Sequence, residues 1–193
     1  MLAQVFGFVP EGGLLRLGDQ AVAVVAGSAL GHGCIDHLAL AVPDLAAAAR
    51  AMQDRGARPD PEVTPDGPLE IAEFWGGVRY LFLQGPGGAR IELIETPAAP
   101  HGPGHDHIGI PCSDIAASGA FLSGLGATPK AAFKLHRPEG ITEVRFLALH
   151  GALLELYQPP RPTVPATQGL WRRLRITGAR PATGPDGLTI APA

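Results

Sequence analysis

Ile35-Asp36-His37-Leu38-Ala39-Leu40 returns seventy residues later as Asp106-His107-Ile108-Gly109-Ile110. The same offset lays Asp44-Leu45-Ala46-Ala47 on Asp114-Ile115-Ala116-Ala117, and Gly56-Ala57-Arg58-Pro59 on Gly126-Ala127-Thr128-Pro129. An offset of 63 then matches Gly88-Ala89-Arg90-Ile91-Glu92-Leu93 to Gly151-Ala152-Leu153-Leu154-Glu155-Leu156, so the first copy is seven residues longer between Pro59 and Gly88. Self-similarity of this kind marks a duplicated supersecondary unit. It divides the chain into an N-terminal extension (1–33), a first module (34–96), a second module (105–158) and a C-terminal extension (159–193). Pro100-His101-Gly102-Pro103-Gly104 is the linker expected between modules.

Each copy reads alike. An apolar run (35–42, 107–112) has the length and alternation of a strand. Asp44 and Asp114 follow as helix N-caps, with Ser113 a second candidate for the latter. Helices are expected over 45–55 and 115–125, with Gly56 and Gly126 in the position of C′ glycines. Three strands close each copy, near 70–75, 78–84 and 89–95, then near 131–136, 142–149 and 152–158. The unit is β-α-β-β-β, twice, in an α+β chain. Residues 13–27 alternate as a hairpin would, and 170–190 as a second pair turning at Gly184-Pro185-Asp186-Gly187; both are assigned as peripheral terminal strands.

Composition narrows the function. Hydrophobic residues are 46% and charged residues 17% of the 193, which excludes a disordered chain. Net charge is −3, and the densest basic stretch, Arg172-Arg173-Leu174-Arg175, reads as a solvated face, so no nucleic-acid partner is expected. Cys34 and Cys112 lack CxxC spacing, which excludes a disulfide framework and a thiolate zinc site. The N-terminus lacks a basic leader, and the apolar stretch from Ala21 to Gly27 is far short of the ~20 residues that span a bilayer. A cytoplasmic protein with no membrane partner is the expectation.

Four polar residues recur at matching places. His37 shares a strand face with Ile35, Ala39 and Ala41, opposite Leu38, Leu40 and Val42, and His107 shares one with Gly109 and Pro111, opposite Ile108 and Ile110. Glu92 and Glu155 each lie between two large aliphatic residues in an apolar strand. Singly, such a histidine is an ordinary hydrogen-bonded side chain and such a glutamate an edge residue. Repetition changes the reading, because a buried carboxylate costs several kcal/mol unless paired or coordinated. Two His and two Glu converging from strand faces would answer that cost with a divalent cation. Mixed N/O ligation suits Zn, Ni, Co, Mn or Fe(II) alike.

The repeated unit, opening on Asp-His and closing on Gly-x-x-x-Glu-Leu, resembles the vicinal oxygen chelate superfamily, which includes glyoxalase I, methylmalonyl-CoA epimerase, extradiol dioxygenases and fosfomycin or bleomycin resistance proteins. The resemblance covers residues 34–158. It implies two modules forming a curved mixed sheet around a cavity, with metal ligands on the first and last strand of each module: His37, Glu92, His107 and Glu155. This set is similar to that of bacterial glyoxalase I. Glu95 is out of phase with Glu92 and is excluded.

The activity implied is a divalent-metal-dependent lyase or isomerase of glyoxalase type. It would act on a small molecule with two adjacent oxygens through an enediolate, with Glu155 or Glu92 moving the proton. Glu155 is the first choice of base, since its strand Ala152–Leu156 is the more apolar and desolvation raises a carboxyl pKa. An epimerase-like isomerase, an iron-dependent ring-cleaving dioxygenase and a non-enzymatic binding or resistance protein stay open as alternatives. The partner expected is the small-molecule substrate. Whether the modules pair within one chain or swap across a homodimer also stays open. The aromatic stretch usual in the family's first helix is absent from Ala49-Arg50-Ala51-Met52, and the 33-residue N-terminal extension is foreign to the short glyoxalases. Arg79 and Arg145 are candidates to grip a substrate carboxylate or to form salt bridges in the sheet. His101 and His105 are expected to be exposed, and His32, His136 and His150 have no counterpart in the other copy.

Overall fold

The computed structural model describes residues 1–18, 20–27, 31–97 and 104–193. The chain forms two compact units, Met1–Ser28 with Leu38–Asp106, and Ala29–His37 with His107–Ala193.

The first unit opens with a short helix α1 (Leu2–Phe6) and a three-stranded antiparallel sheet, β1 (Val9–Glu11), β2 (Leu14–Leu17) and β3 (Gln20–Val22). The module follows as β4 (His37–Ala41), α2 (Leu45–Asp54), β5 (Arg58–Pro59), β6 (Leu69–Ile71), β7 (Val78–Gln84) and β8 (Arg90–Glu95). The opening residue of β4, His37, groups with the second unit. Strand order is β4-β8-β7-β5, with β6 also on β7. Nearly all the extra length of this copy falls in the turns between β5 and β6. There the buried Asp60 accepts from the backbone N–H groups of Glu62 and Val63 and pairs with Arg90 at 3.5 Å. The strand expected over 70–75 stops at Ile71, because Phe74-Trp75-Gly76-Gly77 turns: Gly77 N–H donates to Phe74 O, and Trp75 lies at φ 43°.

The second unit repeats the plan without the interruption: β9 (Gly104–Pro111, its first three residues grouping with the first unit), α3 (Ile115–Gly124), β10 (Thr128–Arg137), β11 (Gly140–Leu149) and β12 (Ala152–Gln158). Strand order is β10-β11-β12-β9, antiparallel except for the parallel β12–β9 pair. Register decides the faces. Ile108 and Ile110 pair with Leu154 and Leu156 and enter the core under α3, where Leu122 and Leu147 pack. Gly109 pairs with Glu155, and Glu155 with Phe146, on the opposite face.

Local chemistry is duplicated along with the fold. Asp44 accepts from Ala47 N–H, and Asp114 from Ala116 and Ala117 N–H, so both expected caps form. Gly56 (φ 98°) and Gly126 (φ 96°) end the helices in the left-handed region. Glu95 and Gln158, 63 residues apart, do one job: their side chains accept from the first helical N–H, Leu45 at 2.9 Å and Ile115 at 2.7 Å. Ser113 does not share the Asp114 cap; its N–H and hydroxyl both go to Asp186.

The C-terminal residues form a further sheet, β13 (Leu174–Ile176), β14 (Ala182–Thr183) and β15 (Thr189–Pro192), ordered β13-β15-β14. Its apolar residues Ile176, Leu188 and Ile190 join the core of the second unit alongside Cys34 and Ile35. The incoming segment 31–35 is clamped there. Leu170 N–H donates to Gly31 O, Ile35 bridges Trp171, and Gly33 meets the Gly169 backbone where neither residue has room for a Cβ. Cys34 and Cys112 are free and buried; burial raises both thiol pKa values, that of Cys112 to about 11, so neither is a ready nucleophile. Among the described residues no helix is long and apolar enough to cross a membrane.

Candidate metal centre

Three of the four residues singled out by repetition come together in the second unit. His37 arrives at the end of the clamped segment, His107 stands on β9, and Glu155 on β12. His37 Nε2 lies 3.2 Å from His107 Nε2 and 3.4 Å from Glu155 Oε2, and His107 Nε2 lies 3.3 Å from the same oxygen. All three side chains are buried.

The spacing can be tested against an ion. Donors bound at about 2.0–2.2 Å from one centre stand roughly 3.0 Å apart at right angles and roughly 3.4 Å apart at the tetrahedral angle. The observed triangle falls between these limits, and its donor set of two imidazoles and one carboxylate is one that divalent transition metals take. The residues therefore fit a divalent cation.

The surroundings preset the donors. Asp36 Oδ2 lies 3.1 Å from His37 Nδ1, and Asp36 N–H donates to Gly109 O at 2.9 Å. Tyr157 stacks on the His37 ring at 6.3 Å between centroids, and Phe146 meets His107 edge-on at 5.7 Å. Burial alone pushes the Glu155 carboxyl pKa up. The His107 and His37 imidazoles, by charge and hydrogen bond, more than reverse this and hold it well below the usual carboxylate range. The net direction is thus opposite to the one the apolar strand suggested.

Gly109 makes the triangle possible, since a Cβ there would overlap the His37 imidazole. Gly109→Ala is expected to push that ring out of line and weaken divalent-ion binding by at least the roughly 10–100-fold seen when a ligand loses its supporting contacts. Titration of the purified variant with Co(II) reads this directly, and unchanged affinity would show that the ring has room to spare.

Glu92, the fourth expected ligand, lies in the first unit, buried on β8 opposite Phe82. Glu95 serves α2 and also meets Arg79 at 3.4 Å, so this arginine is a salt-bridge residue. Arg145 pairs in register with Leu156 on the α3 side of its strand, the face away from Glu155. That face is wrong for gripping a substrate beside the triad. His105 is half-buried on β9 rather than exposed, and His101 lies outside the described residues. The sequence reading did not assign Asp36 or Gly109 a role, though both stood in the quoted repeat: Asp36 as the partner in Asp-His, Gly109 as the small residue on the histidine face.

No family model and no curated protein matches the chain. Solved structures do. A glyoxalase I mutant from Zea mays superposes with a TM-score of 0.72 at 18% identity, over 98% of this chain and 84% of that one. The fold is that of glyoxalase I. A methylmalonyl-CoA epimerase from Mycobacterium tuberculosis is similar at a TM-score of 0.49 and 23% identity, over 70% of this chain and 93% of its own. A 4-hydroxymandelate synthase mutant from Streptomyces coelicolor reaches 0.46 at 15% identity, over 78% and 61%. The two duplicated β-α-β-β-β modules share the fold of that glyoxalase I, in an α+β arrangement with mixed strand pairing.

Proposed function

We propose that the protein is a divalent-metal-dependent enzyme of glyoxalase type, acting on a small molecule that offers two adjacent oxygens. The observation that carries this reading is the triangle of His37, His107 and Glu155 donors at 3.2–3.4 Å, in a chain folded like glyoxalase I. A bound divalent ion would supply Lewis acidity, stabilising negative charge that develops on the substrate oxygens. His37 and His107 offer neutral nitrogen donors, and Glu155 offers a negative oxygen. Glu92 corresponds to Glu155 in the repeat, and on that correspondence we assign it as the fourth ligand and as the carboxylate that moves a proton between neighbouring carbons.

One observation favours a second reading. Two histidines and one carboxylate are also the set that holds Fe(II) in ring-cleaving and other oxygenases, with positions left for oxygen. Oxygen uptake by Fe(II)-loaded protein with a catechol would support it; proton exchange without oxygen uptake would support the glyoxalase reading.

The metal itself is tested first. A cation bound only by the folded protein raises the melting temperature with its concentration over Kd, by about 2.7 kcal/mol of stability at one hundred times Kd. Ni, Co, Zn, Mn and Fe(II), added singly, are expected to rank by such shifts. The shifts should shrink as pH falls from about 8 to about 5.5, because protons compete for the same Nε2 atoms. No shift with any of the five ions would remove the metalloenzyme reading.

A further inference from the structure

The geometry points to Asp36 as a positioning residue that sets the proton of His37 on Nδ1 and so leaves Nε2 bare toward His107 and Glu155. This rests on the metal-enzyme reading for its purpose, but not for its test. Adjacent residues in a regular strand point to opposite faces and cannot meet. β4 begins only at His37, and Asp36 stands just before it, outside the ladder, where its carboxylate turns back to the ring nitrogen of its own neighbour at 3.1 Å. Both side chains are shielded from solvent, at 10% and 5% exposure, so this is not a surface rotamer of convenience.

The nearer carboxylate selects the arrangement. A carboxylate only accepts, and Asp36 Oδ2 at 3.1 Å lies closer to the ring than Glu155 Oε2 at 3.4 Å, so the imidazole nitrogen facing Asp36 donates. That puts the hydrogen on Nδ1 and leaves a lone pair on Nε2, the atom 3.2 Å from His107 Nε2 and 3.4 Å from Glu155 Oε2. With the opposite tautomer an N–H would point into the middle of the triangle. A metal-ligating histidine whose far nitrogen is held by a carboxylate gains both orientation and basicity.

The backbone of Asp36 is itself held. Its N–H donates to Gly109 O, the very residue whose missing Cβ makes room for the His37 ring. Immediately upstream, Ile35 bridges Trp171 and Gly33 abuts Gly169, so the C-terminal extension braces the approach. Asp36 therefore cannot slide away from the ring without moving β9 or the C-terminal segment.

The test pairs two variants with two measurements. Asp36→Ala removes the acceptor, whereas Asp36→Asn keeps an amide oxygen that can still accept from Nδ1–H. Long-range nitrogen–proton NMR on the metal-free protein, above the pH range in which imidazole titrates, reads the His37 tautomer. Titration with Co(II) alone reads affinity through its visible spectrum. The wild type and Asp36→Asn are expected to show His37 protonated on Nδ1. Asp36→Ala is expected to lose that preference and to bind Co(II) roughly 10–100-fold more weakly, with Asp36→Asn recovering most of the loss. Wild-type His37 found with its proton on Nε2 overturns the proposal, even if Asp36→Ala does not fold. So does an Asp36→Ala protein with wild-type Co(II) affinity and an unchanged tautomer. Should the wild type take up no divalent ion at all, the proposed function fails, and the tautomer alone decides the role of Asp36.

Discussion

His107→Ala is expected to cost the protein its divalent ion. Its Nε2 stands 3.2 and 3.3 Å from the other two donor atoms, so its loss leaves one nitrogen and one oxygen where three donors converged. Losing only a supporting contact typically weakens metal binding 10–100-fold, and losing a ligand should exceed roughly 100-fold. His107 is 2% exposed and packed edge-on against Phe146, so its ring is held in place from both the sheet and the aromatic side. Elemental analysis of the purified variant, beside His136→Ala as an exposed control, reads the outcome. A full equivalent of metal in a folded His107→Ala protein would dissolve the triad.

The two glutamates are expected to separate in the opposite sense to the one desolvation implies. A general base works best with a pKa near the operating pH. Burial pushes Glu155 that way, but the His107 and His37 imidazoles pull it back well below the ordinary range, which suits a ligand and not a proton acceptor. Glu155→Gln should therefore lose chiefly metal, because a neutral amide replaces the only negative donor of the triad. Glu92→Gln should keep its metal and lose turnover by roughly 10²–10⁴, the usual worth of a positioned proton-transfer group. Metal content, together with solvent-deuterium exchange into a two-oxygen probe substrate such as a small α-hydroxyketone, scores both variants. A Glu92→Gln protein as active as the wild type would take Glu92 out of the chemistry.

Much of this was written in one dimension. Duplication of Asp-His, Asp-Leu/Ile-Ala-Ala and Gly-Ala with nearly constant spacing announces two β-α-β-β-β units, because caps, C′ glycines and alternating strands are local and act within a few residues. Face assignment was equally local: His107 and Gly109 oppose Ile108 and Ile110 by strand period alone, and the pairing with Leu154 and Leu156 bears this out. Other features needed the folded chain. That β6 ends at Ile71 depends on the turn closed by Gly77 N–H on Phe74 O, and apolar patterning carries no trace of it. The arginines were placed by what α2 and α3 offer above the sheet, so Arg79 and Arg145 turn to the helix side.

The site shows the same division. Sequence period can put a histidine and a glutamate on chosen faces, but it cannot measure the distance between residues 48 apart in the chain, His107 and Glu155. The parallel pairing of β9 with β12 does that. Nor can sequence say whether a buried carboxyl rises or falls in pKa. Desolvation follows from an apolar strand, whereas the larger opposing pull comes from two imidazoles at 3.3–3.4 Å, which exist only after tertiary assembly. The residue types of the centre were thus determined along the chain. Their distances, the ionisation of Glu155 and the proton on His37 were decided by packing, because electrostatic and coordination energies depend on separation in space.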